Sequence, residues 1–290
     1  MKVLLHVNYW EGEGRLERIL KLVDSLPYDG IEFRAKYRFG DLTQQQYQDR
    51  LARYKQDHPE KELVFSGNVP FTRGTADEIK AERDFCLAFF DWAAKNCGTK
   101  IFNFFTGPVV NQLTGWGPGE QNGSAIATED DFRRTAEGLR EMAEGAKKNG
   151  MLLALETHNN YLHDLADPCR KLLDLCGHPA AGINYDQCNM SLHKLGSKPE
   201  DIFSKLSDKI YYAHLKNYFS MVSRNAPGPI YTICRLSDGV LDTRSILERL
   251  AGLLKTGMLA LEYPAKGDGI YAAEQDILYM RRLIEDLELK

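Results

Sequence analysis

Four short apolar runs in the second half of the chain each end in a side chain that a hard cation would accept. They are Leu152-Leu153-Ala154-Leu155-Glu156, Gly182-Ile183-Asn184-Tyr185-Asp186, Tyr211-Tyr212-Ala213-His214 and Leu259-Ala260-Leu261-Glu262. A continuous apolar run of this length reads as a strand buried on both faces, the signature of a parallel sheet covered by helices. An ionisable group at the carboxyl end of such a strand sits where barrels and open α/β sheets place their active sites. Taken singly, a strand-end glutamate reads as a structural ion pair. Four such ends on successive strands read as one site, with two Glu, one Asp and one His. That oxygen-rich set with a single imidazole suits Mn²⁺, Mg²⁺, Co²⁺ or Zn²⁺.

The same pattern extends along the whole chain. Strands are expected at 2–8, 30–36, 62–68, 99–105, 151–157, 181–186, 210–216 and 258–263, with amphipathic stretches such as Leu16-Ile19-Leu20-Leu22-Val23 between them. Thr43 should start the second helix, Thr75 or Asp77 the third, and Thr128-Glu129-Asp130-Asp131 forms a capping box for the fourth. Strict alternation of strand and helix predicts an α/β fold, a (β/α)₈ TIM barrel rather than a doubly wound sheet. With 290 residues, 43% of them apolar, the chain suits one such barrel, and no linker divides it. A single domain over 1–290 is expected.

Composition narrows the partners. A net charge of −4 offers no basic stripe for a nucleic-acid backbone. No stretch approaches the ~20 apolar residues of a membrane span, and the run Met1-Lys2-Val3-Leu4-Leu5-His6-Val7-Asn8 is too short for a signal peptide and reads as a first strand. The cysteines Cys86, Cys97, Cys169, Cys176, Cys188 and Cys234 show no CxxC spacing and read as reduced thiols. The expectation is a cytoplasmic protein acting on a small molecule, with self-association left open.

Alternate strand residues share a face, so Glu156 and His158 should both point toward the barrel axis, as should His214 and Lys216. A metal ligand followed two positions later by His or Lys places a proton donor or acceptor beside a cation. Asn8, Arg34, Asn68 and Asn103 fall at the ends of the first four strands, available either for substrate or for hydrogen bonds along the rim. Two long connections, 106–127 and 217–238, follow the fourth and seventh strands and are expected to close over a substrate. Trp116 in the first could cover a sugar ring, and Arg224 and Arg235 in the second could contact an anion or hydroxyl. His6, His163, His178 and His193 lack such context and read as structural or surface residues, and Phe102, Phe104 and Phe105 read as core.

At Leu155-Glu156-Thr157-His158, Asp186-Gln187-Cys188-Asn189, His214-Leu215-Lys216-Asn217, Gly239-Val240-Leu241-Asp242 and Leu261-Glu262-Tyr263 the chain resembles the xylose isomerase-like TIM barrel superfamily of sugar isomerases and epimerases. The resemblance runs from the first strand to the carboxyl terminus. It implies one divalent metal, Mn²⁺ first among the candidates, held by Glu156, Asp186, His214 and Glu262, with the two glutamates able to shuttle protons. The stretch from Glu156 to Asp164, with His214 to Asn217, looks most like the 3-dehydroshikimate dehydratase branch, where the residues matching His158 and Lys216 act in proton abstraction and substrate contact. Two positions depart from that branch: Ile101-Phe102-Asn103 replaces its strand-4 arginine, and Asn189, a further substrate-side candidate, replaces its strand-6 histidine. Endonuclease IV, a nuclease of the same superfamily, needs additional histidines on early strands, whereas His58 is the one histidine between residues 7 and 157. The reading is a metal-dependent isomerase or epimerase of a sugar or keto-sugar derivative, working by α-proton abstraction through a metal-bound enediolate. Its alternative is a lyase of the dehydratase or 3-keto-sugar β-eliminating type, and a third is a metabolite-binding barrel without chemistry.

Overall fold

The computed structural model of the chain describes residues 1–10, 15–38, 40–117, 119–192, 199–222, 229–263 and 267–289. All eight expected strands are present, as β1 Lys2–His6, β2 Gly30–Arg34, β3 Glu62–Asn68, β4 Ile101–Phe105, β5 Leu152–Glu156, β6 Ala181–Asp186, β7 Ile210–Leu215 and β10 Met258–Leu261. They form a closed barrel in the order β1-β10-β7-β6-β5-β4-β3-β2, and the pairings β1–β10, β1–β2, β3–β4, β4–β5 and β5–β6 are parallel. Every residue of β6, β7 and β10 is buried, which is what strands covered on both faces require. The apolar runs follow from that double covering. No helix of the described residues is long and apolar enough to cross a membrane.

Two expectations are corrected. The first strand is shorter than 2–8, because the chain turns into a 3₁₀ segment at Val7–Trp10. The connection after the seventh strand is an antiparallel hairpin of β8 Asn217–Val222 and β9 Pro229–Cys234, in register from Asn217↔Cys234 to Val222↔Pro229. Its signal was local: both arms are rich in aromatic and β-branched residues, which favour pleated pairing.

By proximity the chain divides into two compact units, Met1–Leu63 with His214–Lys290, and Val64–Ala213; the divisions fall inside β3 and β7 rather than at a linker. In the second unit, α3 Ala76–Cys97 and α4 Glu129–Lys148 begin with complete capping boxes at Thr75/Glu78 and Thr128/Asp131. Each box satisfies backbone N–H groups that the first helical turn leaves without partners. Gly182 opens the way for β7: a Cβ there would lie 2.5 Å from the Tyr211 ring and 2.6 Å from the Lys209 carbonyl oxygen. All six cysteines are free thiols and buried.

In the first unit, α2 Gln44–Asp57 carries a third capping box at Thr43/Gln46, and α1 Leu16–Ser25 turns Leu16, Ile19 and Val23 inward. The C-terminal helix α9 Gly269–Asp286 carries a buried anchor. Asp276 accepts the Tyr9 hydroxyl at 2.7 Å and the Leu236 N–H at 2.8 Å, so one carboxyl holds both the turn after β1 and the chain leaving β9. Burial pushes the Asp276 carboxyl up to about 6. The folded chain therefore keeps this proton to higher pH than the unfolded chain, whose value is ~3.9. The resulting stabilisation is present below the unfolded value and is lost as pH rises through the folded one. Measured against Asp276→Asn by urea unfolding, the wild type should lose roughly 2 kcal/mol between about pH 4 and pH 6.5. Parallel stability curves for the two proteins across that window would contradict this.

Candidate functional site

The second unit places Glu156 and Asp186 side by side through one amide. Glu156 ends β5, and Asp186 ends β6 while capping the short helix α6 Gln187–Ser191. Asn189, one turn into α6, donates from Nδ2 to Glu156 Oε1 at 3.2 Å and to Asp186 Oδ2 at 2.9 Å, and its backbone N–H donates to Asp186 Oδ1 at 2.9 Å. Below them, Asn103 donates to Glu156 Oε2 at 2.9 Å and accepts from Asn184 Nδ2 at 3.1 Å. Glu156 and Asp186 are 3% and 0% exposed, so these amide donors take the place of water around the two carboxylates. Asn103, a candidate for the substrate side, thus sits fully buried with its amide committed to Glu156.

Behind Glu156 lies His163, which the sequence offered only as a structural or surface residue. Burial pushes its imidazole down to about 4, so at neutral pH it carries one proton. That proton goes to the Glu156 carbonyl through Nδ1, and Nε2 accepts from the Thr106 hydroxyl at 3.1 Å. His163 therefore ties the end of β5 to the start of the 106–127 connection. Asn68 secures that connection from the other side, accepting the Gly107 N–H at 2.9 Å. Within the connection the Asn111 N–H donates to Asn122 Oδ1, and the Ser124 N–H ties it to Asp164 Oδ2 beyond β5. His158 is half-buried at the mouth of this unit, ringed by Phe105, Trp116 and Tyr161 at centroid distances of 6.0, 6.2 and 5.3 Å. Phe102 and Phe104 are core as expected; Phe105 instead joins this aromatic group. Trp116 is 56% exposed.

The first unit holds a denser charged cluster. His214 on β7 and Glu32 on β2 are both 0% exposed, and His214 Nε2 lies 2.7 Å from Glu32 Oε2. His6 Nε2 lies 3.6 Å from the other Glu32 oxygen, and the Asn8 N–H donates to His6 Nδ1 at 3.1 Å. The imidazole Nδ1 of His214 faces Glu262 Oε2 at 3.3 Å, and Lys216 Nζ donates to that same oxygen at 2.8 Å. The other Glu262 oxygen accepts the Asn8 side-chain amide, whose carbonyl in turn accepts Arg34 Nη2 at 2.9 Å. Burial alone would push the Glu262 carboxyl up; Lys216, His6 and His214 around it hold it well below the usual carboxylate range. His6, His214 and Glu262 each offer a ligand atom within 4.8 Å of one another.

Glu32 and the role of His6 escaped the sequence reading, although a signal for both was present. The pairing of residues two apart, applied to Glu156/His158 and His214/Lys216, applies equally to His6/Asn8 and Glu32/Arg34. Arg235 is spoken for, since it pairs with Asp238 at 2.6 Å and its guanidinium lies over the Tyr271 ring. Arg224 lies outside the described residues.

Replacing Asn103 by Leu strips one donor from Glu156 Oε2 and one acceptor from Asn184. Each buried polar group left without its partner costs ~1–3 kcal/mol, so Asn103→Leu should lower the unfolding free energy of the metal-free protein by roughly 2–5 kcal/mol. A variant as stable as wild type in guanidinium would show that these contacts carry no weight.

The profile of the xylose isomerase-like TIM barrel family matches residues 20–283. Among curated proteins, the chain is 31% identical over 100 residues to 3-dehydroshikimate dehydratase of Bacillus anthracis, a match spanning 34% of this chain and 35% of that relative's length. Among solved structures, a xylose isomerase-like TIM barrel protein from Mycobacterium smegmatis in complex with magnesium is similar, with a TM-score of 0.76 and 16% identity, covering 99% of this chain and 97% of that one. L-ribulose 3-epimerase is similar too, with a TM-score of 0.74 and 17% identity over 99% and 96% of the two chains. At such identities the structural likeness is one of fold. The family match covers nearly the whole barrel, and the chain belongs to the xylose isomerase-like TIM barrel family.

Proposed function

We propose that this protein is a divalent-metal-dependent isomerase or epimerase of a keto-sugar or related polyol ketone. The observation that carries the reading is the donor set. Glu156, Asp186, His214 and Glu262 stand at or within one residue of the carboxyl ends of β5, β6, β7 and β10, which are consecutive neighbours around the barrel. Three carboxylates and one imidazole suit a hard or borderline divalent cation, and Mn²⁺ is our first candidate.

The contact between His214 and Glu262 supports the fit. With Nε2 turned to Glu32, the His214 ring sets Nδ1 3.3 Å from a Glu262 carboxylate oxygen. A ring nitrogen and a carboxylate oxygen so placed need a positive centre between them, which a proton can supply in the metal-free protein and a divalent cation would supply when bound. When bound, such a cation supplies a Lewis acid that makes a proton next to a carbonyl easier to remove.

The chain's own residues then divide the proton work. Glu156 and Glu262 are the candidate bases for the carbon-bound proton, returning it at the neighbouring carbon for isomerisation or on the opposite face for epimerisation. Lys216, hydrogen-bonded through Nζ to Glu262 Oε2, holds a proton that can pass to a developing oxyanion. His158 is a further candidate base, and its aromatic surround restricts water around it. Asn8, Arg34, Asn189 and the exposed Trp116 are the candidate substrate contacts. A lyase is the second reading, favoured by the partial match to 3-dehydroshikimate dehydratase. It would begin with the same proton removal and end with loss of the β-oxygen as water.

The test is proton exchange. The Mn²⁺ form, incubated in D₂O with a panel of keto-sugars and cyclic polyol ketones, should place deuterium next to the carbonyl of one substrate. His158→Ala and Lys216→Met should each slow that exchange by ~10²–10⁴ while metal remains bound. Appearance of a dehydrated product would move the protein to the lyase reading. Metal binding without exchange on any ketone would overturn the catalytic reading altogether.

A further inference from the structure

We infer that Glu32 is a positioning residue: it fixes His214 as the Nε2–H tautomer and so makes Nδ1 the nitrogen presented to a divalent cation. This rests on the metal reading above and adds to it a residue that lies outside the four-ligand set.

The geometry leaves little freedom. His214 Nε2 lies 2.7 Å from Glu32 Oε2, with both side chains fully buried. A carboxylate only accepts, so the proton between them belongs to Nε2. An imidazole nitrogen is turned toward each Glu32 oxygen, so the carboxyl is placed to accept. Its second oxygen is flanked in the same way: the Asn8 N–H occupies His6 Nδ1, which leaves the His6 proton on Nε2, 3.6 Å from Glu32 Oε1.

The two histidine rings hold the arrangement from opposite sides, with centroids 5.0 Å apart and an angle of 66° between them. His214 cannot turn to offer Nε2 to a cation without leaving a buried carboxylate oxygen without its donor. Nδ1 already faces Glu262 Oε2 at 3.3 Å. A carboxylate that receives the remote N–H of a ligating histidine orients the ring and raises its basicity, and loss of such a partner commonly weakens metal binding by ~10–100-fold. Glu32 arises from β2, at the third position of Gly30-Ile31-Glu32-Phe33-Arg34, and Arg34 stands one inward step further along the same strand. The strand thus supplies a deep orienting anion and, at the mouth, a cation.

The test uses Zn²⁺ as a diamagnetic probe with the full chain. In Zn²⁺-loaded wild type labelled with ¹⁵N-histidine, long-range ¹H–¹⁵N correlations should show His214 protonated at Nε2 and metal-bound at Nδ1. Glu32→Gln keeps the shape but removes the charge and one acceptor. Its Zn²⁺ dissociation constant, measured by chelator competition, should rise by ~10–100-fold. Glu32→Asp, which restores the carboxylate, should recover part of that loss. A merely structural Glu32 would lower the thermal midpoint of the metal-free protein without moving the affinity of the folded fraction or the tautomer. Unchanged Zn²⁺ affinity in folded Glu32→Gln, or a wild-type His214 bound through Nε2, overturns this inference and leaves the metal reading standing. A wild type that binds no divalent ion overturns both. Should Glu32→Gln fail to fold, the wild-type tautomer and Glu32→Asp decide the matter.

Discussion

A carboxylate taken out of water must be given partners, and this requirement organises the mouth of the barrel. Glu32, Glu156, Asp186 and Glu262 are all at most 6% exposed. Each is met by donors chosen for its place: imidazoles for Glu32, side-chain amides for Glu156, a helix N-terminus and an amide for Asp186, an ammonium and an amide for Glu262. Buried charge of this kind contributes little net stability compared with apolar packing. On the reading proposed above, such carboxylates place negative charge where a cation or a proton is handled. The fold serves that end, because parallel strands deliver their last side chains to one rim.

The strands were legible in the sequence because double burial forces an apolar run. The candidate rim stood out by repetition, since four ionisable residues close four successive runs where any one alone reads as a structural ion pair. Glu32 was harder to see. It sits inside its run rather than at the end, and a glutamate third of five in a strand looks like one polar residue on an alternating face. The period of two resolves this. Glu32 lies two residues before Arg34 and His214 two before Lys216, and in each pair the first is fully buried.

The hairpin after β7 escaped for a different reason. A rule of strand followed by helix assigns every segment between barrel strands to a helix or a loop, so the arms Asn217–Val222 and Pro229–Cys234 were read as connection. Side-chain anchoring of the connections is likewise invisible to periodicity. Asn217 joins the hairpin to the segment behind it by donating to the Leu236 and Leu241 carbonyls, and a Cβ on Gly239 would fall 2.1 Å from its Oδ1. Asp276 clamps Leu236 from the last helix. These long-range contacts depend on which residues the barrel brings together, and no local pattern encodes them.

We propose that Glu156, Asp186, His214 and Glu262 hold one divalent cation. Anomalous diffraction at the manganese edge from crystals grown with Mn²⁺ tests it most directly. The account predicts one strong peak per chain, bonded at roughly 2.0–2.3 Å to a carboxylate oxygen from each of the three acidic residues and to Nδ1 of His214. A fully loaded crystal whose peak lies away from these four side chains, or in which His214 makes no bond to the metal, would contradict it.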